Sequence, residues 1–238
     1  MSKFMVTPDL FKLFPQLCFG VVVAEGTNNQ GADPQVAELE AARAQALFES
    51  LKGTDLKAHP HIAVWREAFQ KLGQNPNKYP SSIEALARRV AKKPELPDIN
   101  RAVNLVNAMS VTYLLPMGAH DLEILPGDIE VRLARPTDVF IPIGGTQPEA
   151  LDEGEVVYAT GDQIRTRKWV WRQSELAKVS PESTRLFFPI DAFYGVTDQA
   201  ARAAQAELAE LLGRYCGATT RTYWVDQEHP SADLDGVS

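Results

Sequence analysis

The chain has 238 residues and a mass of 26.3 kDa, which is enough for one large domain or two small ones. Its 45% hydrophobic and 23% charged residues exclude a wholly disordered chain and a fibrous repeat, and its longest apolar run, residues 17–24, is too short to cross a bilayer. The formal net charge is −7, but four of the acids lie in the last thirteen residues, so clustered basic residues elsewhere still permit a polyanionic partner.

Two further absences bear on the compartment. The two cysteines are too few for a disulfide framework, and the first residues show no apolar signal-peptide core. We therefore expect a cytoplasmic protein without disulfides.

His59 and His61 have no third metal ligand nearby in the sequence, and we expect no metal site.

The first half of the chain predicts a buried strand followed by four helices. Residues 17–24 are short and valine-rich, as in a buried strand. The helices are predicted over residues 34–51, 60–72, 82–93 and 98–113. Asp33 before Pro34 is typical of a capped start, and Ser81 with Glu84 has the spacing of a capping box.

The second half predicts short strands, one helix and a loose tail. Strands are predicted over residues 129–134, 139–143, 155–159, 168–171, 186–190 and 219–225, with an alanine-rich helix from Thr197 to Gly213. Residues 227–238 are polar and lack a core-facing pattern, so we expect disorder there. The fold class is α+β: a single domain over residues 1–226, with helices packed on a mixed or antiparallel sheet.

Three asparagines share one face of the helix predicted over residues 98–113. Asn100, Asn104 and Asn107 follow the i, i+4, i+7 spacing. Asparagine is a poor helix former, so a row of three predicts a specific role. The row either binds a neighbouring loop in a buried polar network or lines a site for a polar ligand.

The segment 165–174 combines basic and aromatic residues. Strand alternation would place Arg167, Trp169 and Trp171 on one face and Lys168, Val170 and Arg172 on the other. Arginine beside tryptophan suits phosphate pairing and base stacking. A half-buried strand with an arginine at its edge explains the same pattern.

A series of short segments carries the most specific signal in the chain. They are residues 72–90 (LGQNPNKYPSSIEALARRV), residues 96–100 with Val103, Asn104, Asn107 and Ser110, residues 115–122 (LPMGAHDL), residues 127–129 with Arg132, residues 154–158, and residues 169–174 (WVWRQS). In this order, from about residue 60 to 195, they resemble the B3/B4 domain family.

This family includes the editing module in the β subunit of bacterial phenylalanyl-tRNA synthetase, which hydrolyses mischarged tyrosyl-tRNA, and free-standing trans-editing factors. One free-standing branch comprises canavanyl-tRNA deacylases, which act on arginine tRNA. The resemblance implies an aminoacyl-tRNA deacylase with a B3/B4-like fold, no metal or other cofactor, and tRNA as its partner, without DNA or membrane binding. Acidic residues near the motifs favour canavanyl-tRNA(Arg) as the substrate.

For such a deacylase we hypothesise a division of roles. Asn104 and Asn107 would position the ester or the α-amino group, His120 would activate water, and Asp191 would pair with a cationic part of the amino acid. Further substrate-binding residues would be Tyr79, Ser81, Glu84, Asn100, Asp121, Trp171 and Gln173. Arg88, Arg89, Arg167 and Arg172 would contact tRNA phosphates. The synthetase module has a histidine after Pro-Leu, whereas this chain has Gly118 at that position and His120 two residues later.

Two alternatives remain open. A non-catalytic module that binds tRNA or an amino acid would need the same polar and aromatic residues, because a fold does not guarantee an activity. Editing of another ester, such as tyrosyl-tRNA(Phe), would require an aromatic and apolar pocket.

Overall fold

The computed structural model describes residues 2–124 and 127–235. Its α-helices are α1 (Pro8–Leu13), α2 (Pro34–Ser50), α3 (Pro60–Lys71), α4 (Ser82–Val90), α5 (Arg101–Tyr113) and α6 (Asp198–Cys216). Its strands are β1 (Lys3–Val6), β2 (Leu17–Glu25), β3 (His120–Asp121), β4 (Ile129–Leu133), β5 (Val156–Thr160), β6 (Gln163–Arg167), β7 (Arg172–Gln173), β8 (Arg185–Phe193), β9 (Thr219–Val225) and β10 (Ser231–Asp233). The α+β class is confirmed.

The strands form two sheets. A six-stranded sheet has the order β10-β1-β4-β5-β6-β7, and only its β1–β4 pair is parallel. A four-stranded antiparallel sheet has the order β3-β8-β2-β9, with β2 and β8 paired along nine residues. The sequence predicted one sheet because it does not show which strands pair.

The sheets and helices form three layers. Phe4 of the six-stranded sheet contacts Phe19 and Phe187 of the four-stranded sheet, with ring centroids 5.4 and 5.1 Å apart, so one core lies between the sheets. On its other face, the four-stranded sheet packs Val22 and Phe188 against α5 and α6. Strand β2 is thus buried on both faces, which explains its unbroken apolar sequence.

Local capping determines the helix starts. The Asp33 side chain accepts hydrogen bonds from the backbone N–H groups of Gln35 and Val36, and Ser81 accepts one from that of Glu84. These two caps confirm the predicted starts of α2 and α4. Helix α5 begins later than predicted, at Arg101, because Asn100 and not Asp98 is its cap.

Two predicted strands are wrong. Residues 139–143 form only isolated bridges at Val139, Phe140 and Pro142, and proline has no N–H group to donate to a sheet. Residues 168–171 form a turn between β6 and β7, in which Lys168 and Trp169 have φ angles of 45° and 59°. Left-handed backbone at two consecutive residues ends the strand that the alternating pattern indicated.

The predicted disorder of the tail is wrong for residues 227–235. Strand β10 pairs antiparallel with β1, and Leu234 is fully buried in the core between the sheets. The Asp235 carboxylate accepts a hydrogen bond from Arg185. Residues 236–238 lie outside the described part of the chain. No helix in the described ranges is both long enough and apolar enough to cross a membrane.

Candidate functional site

A cavity of about 90 Å³ opens between the two sheets, where β8 passes β5 and β6. Its lining includes a carboxylate, an imidazole and three aromatic residues. The lining residues are Ser82, Pro116, Met117, Gly118, His120, Tyr158, Thr166, Trp169, Val170, Trp171, Arg172, Gln173, Pro189 and Asp191. We call it the Asp191 cavity. It brings together His120, Asp191, Trp171, Gln173 and Arg172, five residues that the sequence analysis singled out.

Asp191 is held by donors from the opposite sheet. The hydroxyl of Tyr158 and the indole N–H of Trp169 both donate to its Oδ1, at 2.7 and 3.0 Å. Its Oδ2 makes no hydrogen bond to a described residue, although the side chain lines the cavity. Burial raises the pKa of Asp191 to about 7, although its two hydrogen bonds act in the opposite direction and lower the pKa. The site therefore holds a carboxylate that titrates near neutral pH and has one free oxygen.

His120 lies beside this carboxylate as a neutral imidazole. Burial, and then the positive charge of Arg165, lower the pKa of His120 to about 3. Its ring stacks on Tyr158 with centroids 5.9 Å apart, and its buried Nδ1 has no hydrogen-bond partner among the described residues. A Cβ at Gly118 would lie 3.1 Å from His120 Nε2, so glycine leaves the space that the imidazole needs. An imidazole of this kind can accept a hydrogen bond, but it is a weak base and stays uncharged near neutral pH.

The left-handed turn after β6 positions the aromatic walls. Lys168 is buried, and its ammonium group contacts Asp152, Glu155 and the ring of Tyr79. Trp169 is fully buried and packs against Trp65, with ring centroids 5.1 Å apart, while its N–H reaches Asp191. The strained backbone is therefore held by ion pairs on one side and the core on the other.

The cavity is also lined by the polar and aromatic side chains of Trp171, Arg172 and Gln173. Trp171 is half-buried and meets Tyr79 edge to face, with ring centroids 4.8 Å apart. Gln173 donates from Nε2 to the carbonyl oxygens of Ala119 and Ala177, which fixes its amide at the wall. Arg172 is partly exposed and pairs with Glu149.

Several predicted substrate-binding residues have structural partners instead. Ser81 is the buried cap of α4. Glu84 is fully buried and pairs with Arg66 and Arg88, and Asp121 accepts hydrogen bonds from Ser183 and from the backbone after β3. None of these three residues lines the Asp191 cavity.

The predicted phosphate-binding arginines fall into two groups. The side chain of Arg167 is 7% exposed and pairs with Glu155, so its burial argues against contact with a phosphate. Arg89 is exposed at the end of α4, and Arg88 beside it is half-buried against Glu84. Arg172 lines the cavity, whereas Arg88 and Arg89 lie at the opposite end of α4 from Ser82, the residue of this helix that lines it.

The asparagine row does not reach Asp191. Asn100 caps α5 and donates to the carbonyl oxygen of Val179, and Asn104 joins the backbone N–H of Ile99 to the carboxylate of Asp98. Both line a second cavity, and Asn107 lines neither. The structure thus favours the buried polar network for Asn100 and Asn104.

Sequence reasoning did not identify Tyr158 or Trp169 as residues that hold Asp191. Tyr158 lies in an ordinary strand pattern, and its contact with Asp191 spans 33 residues, so no local signal could have found it. The two tryptophans of the 169–174 motif, Trp169 and Trp171, were a signal, but the predicted strand placed Trp169 on the same face as Trp171.

The comparisons agree with this architecture. A family model described as the B3/4 domain matches residues 64–217. The chain is similar in structure to an N-terminal fragment of the phenylalanyl-tRNA synthetase β subunit from Pyrococcus horikoshii, with a TM-score of 0.52 and 10% identity. The similarity covers 92% of this chain and 50% of that fragment, so this chain spans about half its length. At this identity the likeness shows a shared fold. No curated protein sequence matches the chain.

Proposed function

The chain belongs to the B3/4 domain family, and from this membership and the Asp191 cavity we propose that it is an aminoacyl-tRNA deacylase. In this proposal it hydrolyses the ester between a noncognate amino acid and the terminal ribose of a tRNA, acting in trans. The favoured substrate is canavanyl-tRNA(Arg).

One observation favours a cationic amino acid as the part of the substrate that the Asp191 cavity binds. Asp191 is 2% exposed and lines the cavity, yet only one of its two oxygens has hydrogen-bond partners among the described residues. A buried carboxylate with a free oxygen is stabilised by a bound cation, which would also favour its charged form. The half-buried Trp171 supplies aromatic surface in the same cavity, on which planar guanidinium-type cations stack.

The chemistry of the ester makes modest demands on the site. A water oxygen attacks the ester carbonyl, the water proton goes to a base, and the ribose oxygen leaves and is protonated. His120 is neutral and lines the cavity, and because its pKa of about 3 makes it a weak base, it is the candidate to orient the water as a hydrogen-bond acceptor. Gln173 and Thr166 line the same cavity and offer polar atoms for orienting the ester.

The role proposed from the sequence for Asn104 and Asn107 does not fit this geometry as well. The amide nitrogen and the amide oxygen of Asn104 both make hydrogen bonds to the loop before α5. Neither asparagine lines the Asp191 cavity. For tRNA binding, the exposed Arg89 and the partly exposed Arg172 are better placed than the buried Arg167.

The test is deacylation of a panel of labelled mischarged tRNAs with substoichiometric protein. The panel includes canavanyl- and arginyl-tRNA(Arg) and tyrosyl-tRNA(Phe). We expect many turnovers per protein on canavanyl-tRNA(Arg), with arginyl-tRNA(Arg) spared. Turnover of tyrosyl-tRNA(Phe) alone would keep the deacylase and refute the cationic substrate. Protection of an ester without turnover would indicate a binding module and refute the activity.

A further inference from the structure

A second and larger cavity, of about 440 Å³, lies between the first half of α2, the loop before α5 and the start of α5. It shares no lining residue with the Asp191 cavity. Its α2 wall lies outside residues 64–217, which the B3/4 family model matches. We call it the Glu40 cavity. Its volume is in the usual range for small-molecule sites.

The charged groups of this cavity are mostly acidic. Its lining contains Asp33, Glu40, Glu95 and Asp98 against one cation, Arg101. Arg101 is already engaged, because its terminal nitrogens donate to the backbone carbonyl oxygens of Asn28, Gln30 and Tyr215. The lining as a whole is therefore complementary to a positive charge.

Glu40 is the group that points to a ligand. It is 8% exposed, and its Oε1 is buried without a hydrogen-bond partner among the described residues. Burial, and then the nearby charge of Asp98, raise the pKa of Glu40 to about 7, against an interaction with Asn104 that lowers it. The Asn104 amide also donates to Asp98 at 2.8 Å, so it links the two carboxylates. A buried acceptor without a donor is destabilising, and a ligand that donates to it removes that penalty.

Besides its charged groups and the asparagines Asn29, Asn100 and Asn104, the lining is apolar. Val36, Ala37 and Ala41 of α2 face Pro94, Leu96 and Ile99 of the loop across the cavity. Ile99 is 57% exposed and adds apolar surface to the lining. No three His, Cys, Asp or Glu side chains in the described ranges are grouped so as to hold a metal ion. An alkyl chain that ends in a cationic group matches both parts of the lining.

We propose that the Glu40 cavity binds a small organic cation, with its guanidinium or ammonium group between Glu40 and Asp98 and its alkyl part against α2 and Leu96. The site is separate from the Asp191 cavity and does not depend on the deacylase activity. It is a second ligand site, built partly by the segment that precedes the family domain.

The test is isothermal titration calorimetry of the full chain with n-butylguanidinium and its neutral isostere n-butylurea. We expect the cation to bind and the urea to bind much more weakly. Glu40→Gln should weaken the binding of the cation about tenfold or more, because the variant keeps the shape of the side chain and removes its charge. Asp98→Asn should weaken it by a smaller factor, because Asp98 lies in the more exposed loop.

Matched variants separate the two cavities. Asp191→Asn should leave the Glu40-dependent binding unchanged. In the Asp191→Asn background, cation binding that Glu40→Gln does not weaken would overturn the proposal. Loss of all cation binding in Asp191→Asn alone, equal binding of the urea, or no binding at millimolar cation would each overturn it as well. Circular dichroism of Glu40→Gln checks that its fold is intact. Failure of the deacylase test with intact Glu40-dependent binding would refute the proposed function alone.

Discussion

The hydroxyl of Tyr158 donates a 2.7 Å hydrogen bond to the carboxylate of Asp191 across the interface between the two sheets. Tyr158 lies on β5 of the six-stranded sheet, and Asp191 lies on β8 of the four-stranded sheet. Both side chains are 2% exposed, so the bond forms in a low-dielectric environment, where it is strong. The candidate site thus exists only when the sheets are packed together.

Neutralising Asp191 should remove most of the activity. We expect Asp191→Asn to lower kcat/KM for canavanyl-tRNA(Arg) by about 10- to 100-fold, the range for losing a charged hydrogen-bond acceptor. Asp226→Asn is the matched control, because Asp226 is also buried and also accepts a 2.7 Å hydrogen bond from a tyrosine, Tyr194. Equal rates for both variants and the unchanged protein, in single-turnover assays, would exclude a role for Asp191.

Tyr158→Phe should move the pH dependence of the reaction. The Tyr158 hydrogen bond lowers the pKa of Asp191, so its removal raises that pKa further above neutral. If charged Asp191 binds the substrate, activity rises with pH through about 7, and the midpoint moves to higher pH in the variant. A kcat/KM profile between pH 5.5 and 9 measures this. A rate that falls by the same factor at every pH would point to a merely structural role.

Stability should fall as the pH rises through neutrality, in part because of Glu40. Its pKa of about 7 in the folded protein lies above the usual value of 4.5, so the folded state binds the extra proton. This contribution is complete below about pH 4.5 and is lost as the pH rises to about 7; it is at most roughly 3 kcal/mol, because solvent that enters the open cavity screens the carboxylate. Glu40→Gln should remove that part of the slope. Urea unfolding at pH 5 and pH 8, with Asp226→Asn for comparison, tests this.

Gly118→Ala should impair the site more than the fold. The added Cβ would lie 3.1 Å from His120 Nε2 and 3.3 Å from Pro189 Cγ, which is tighter than ordinary contact and forces the imidazole to move. Gly213→Ala is the control, because its Cβ would meet only the carbonyl oxygen of Ala218 at 3.6 Å. We expect kcat/KM to fall about tenfold in Gly118→Ala. Gly213→Ala should gain up to about 1 kcal/mol of stability from helix propensity. Activity of Gly118→Ala equal to that of Gly213→Ala would contradict this geometry.

Truncating Leu234 should destabilise the protein strongly. The side chain is fully buried between the sheets, so Leu234→Ala should reduce the free energy of unfolding by about 2–5 kcal/mol. Glu228→Ala, at an exposed position in the same tail, should change it by less than about 0.5 kcal/mol. Similar unfolding curves for the two variants would support the disorder that the sequence predicts for the tail.

Local signals in the sequence were sufficient to predict most of the helices. The Asp33 and Ser81 caps act within three residues of themselves, and the start of α3 at Pro60 follows from the same kind of signal. The valine-rich β2 was equally clear, because a strand buried on both faces has a continuous apolar sequence. The family motifs also placed His120 and Trp171 among the candidates.

The tertiary structure decided everything that depends on contacts between distant residues. It turned the alternating segment at Lys168 and Trp169 into a left-handed corner, because ion pairs and core packing outweigh strand propensity there. It ordered the tail by pairing β10 with β1, more than 220 residues away. The sequence by itself predicted α2 to α6 and the core strand, since those signals are local, but it did not predict α1. Which polar residues share a cavity was decided only by the packing of the two sheets, because the partners of Asp191 come from another sheet.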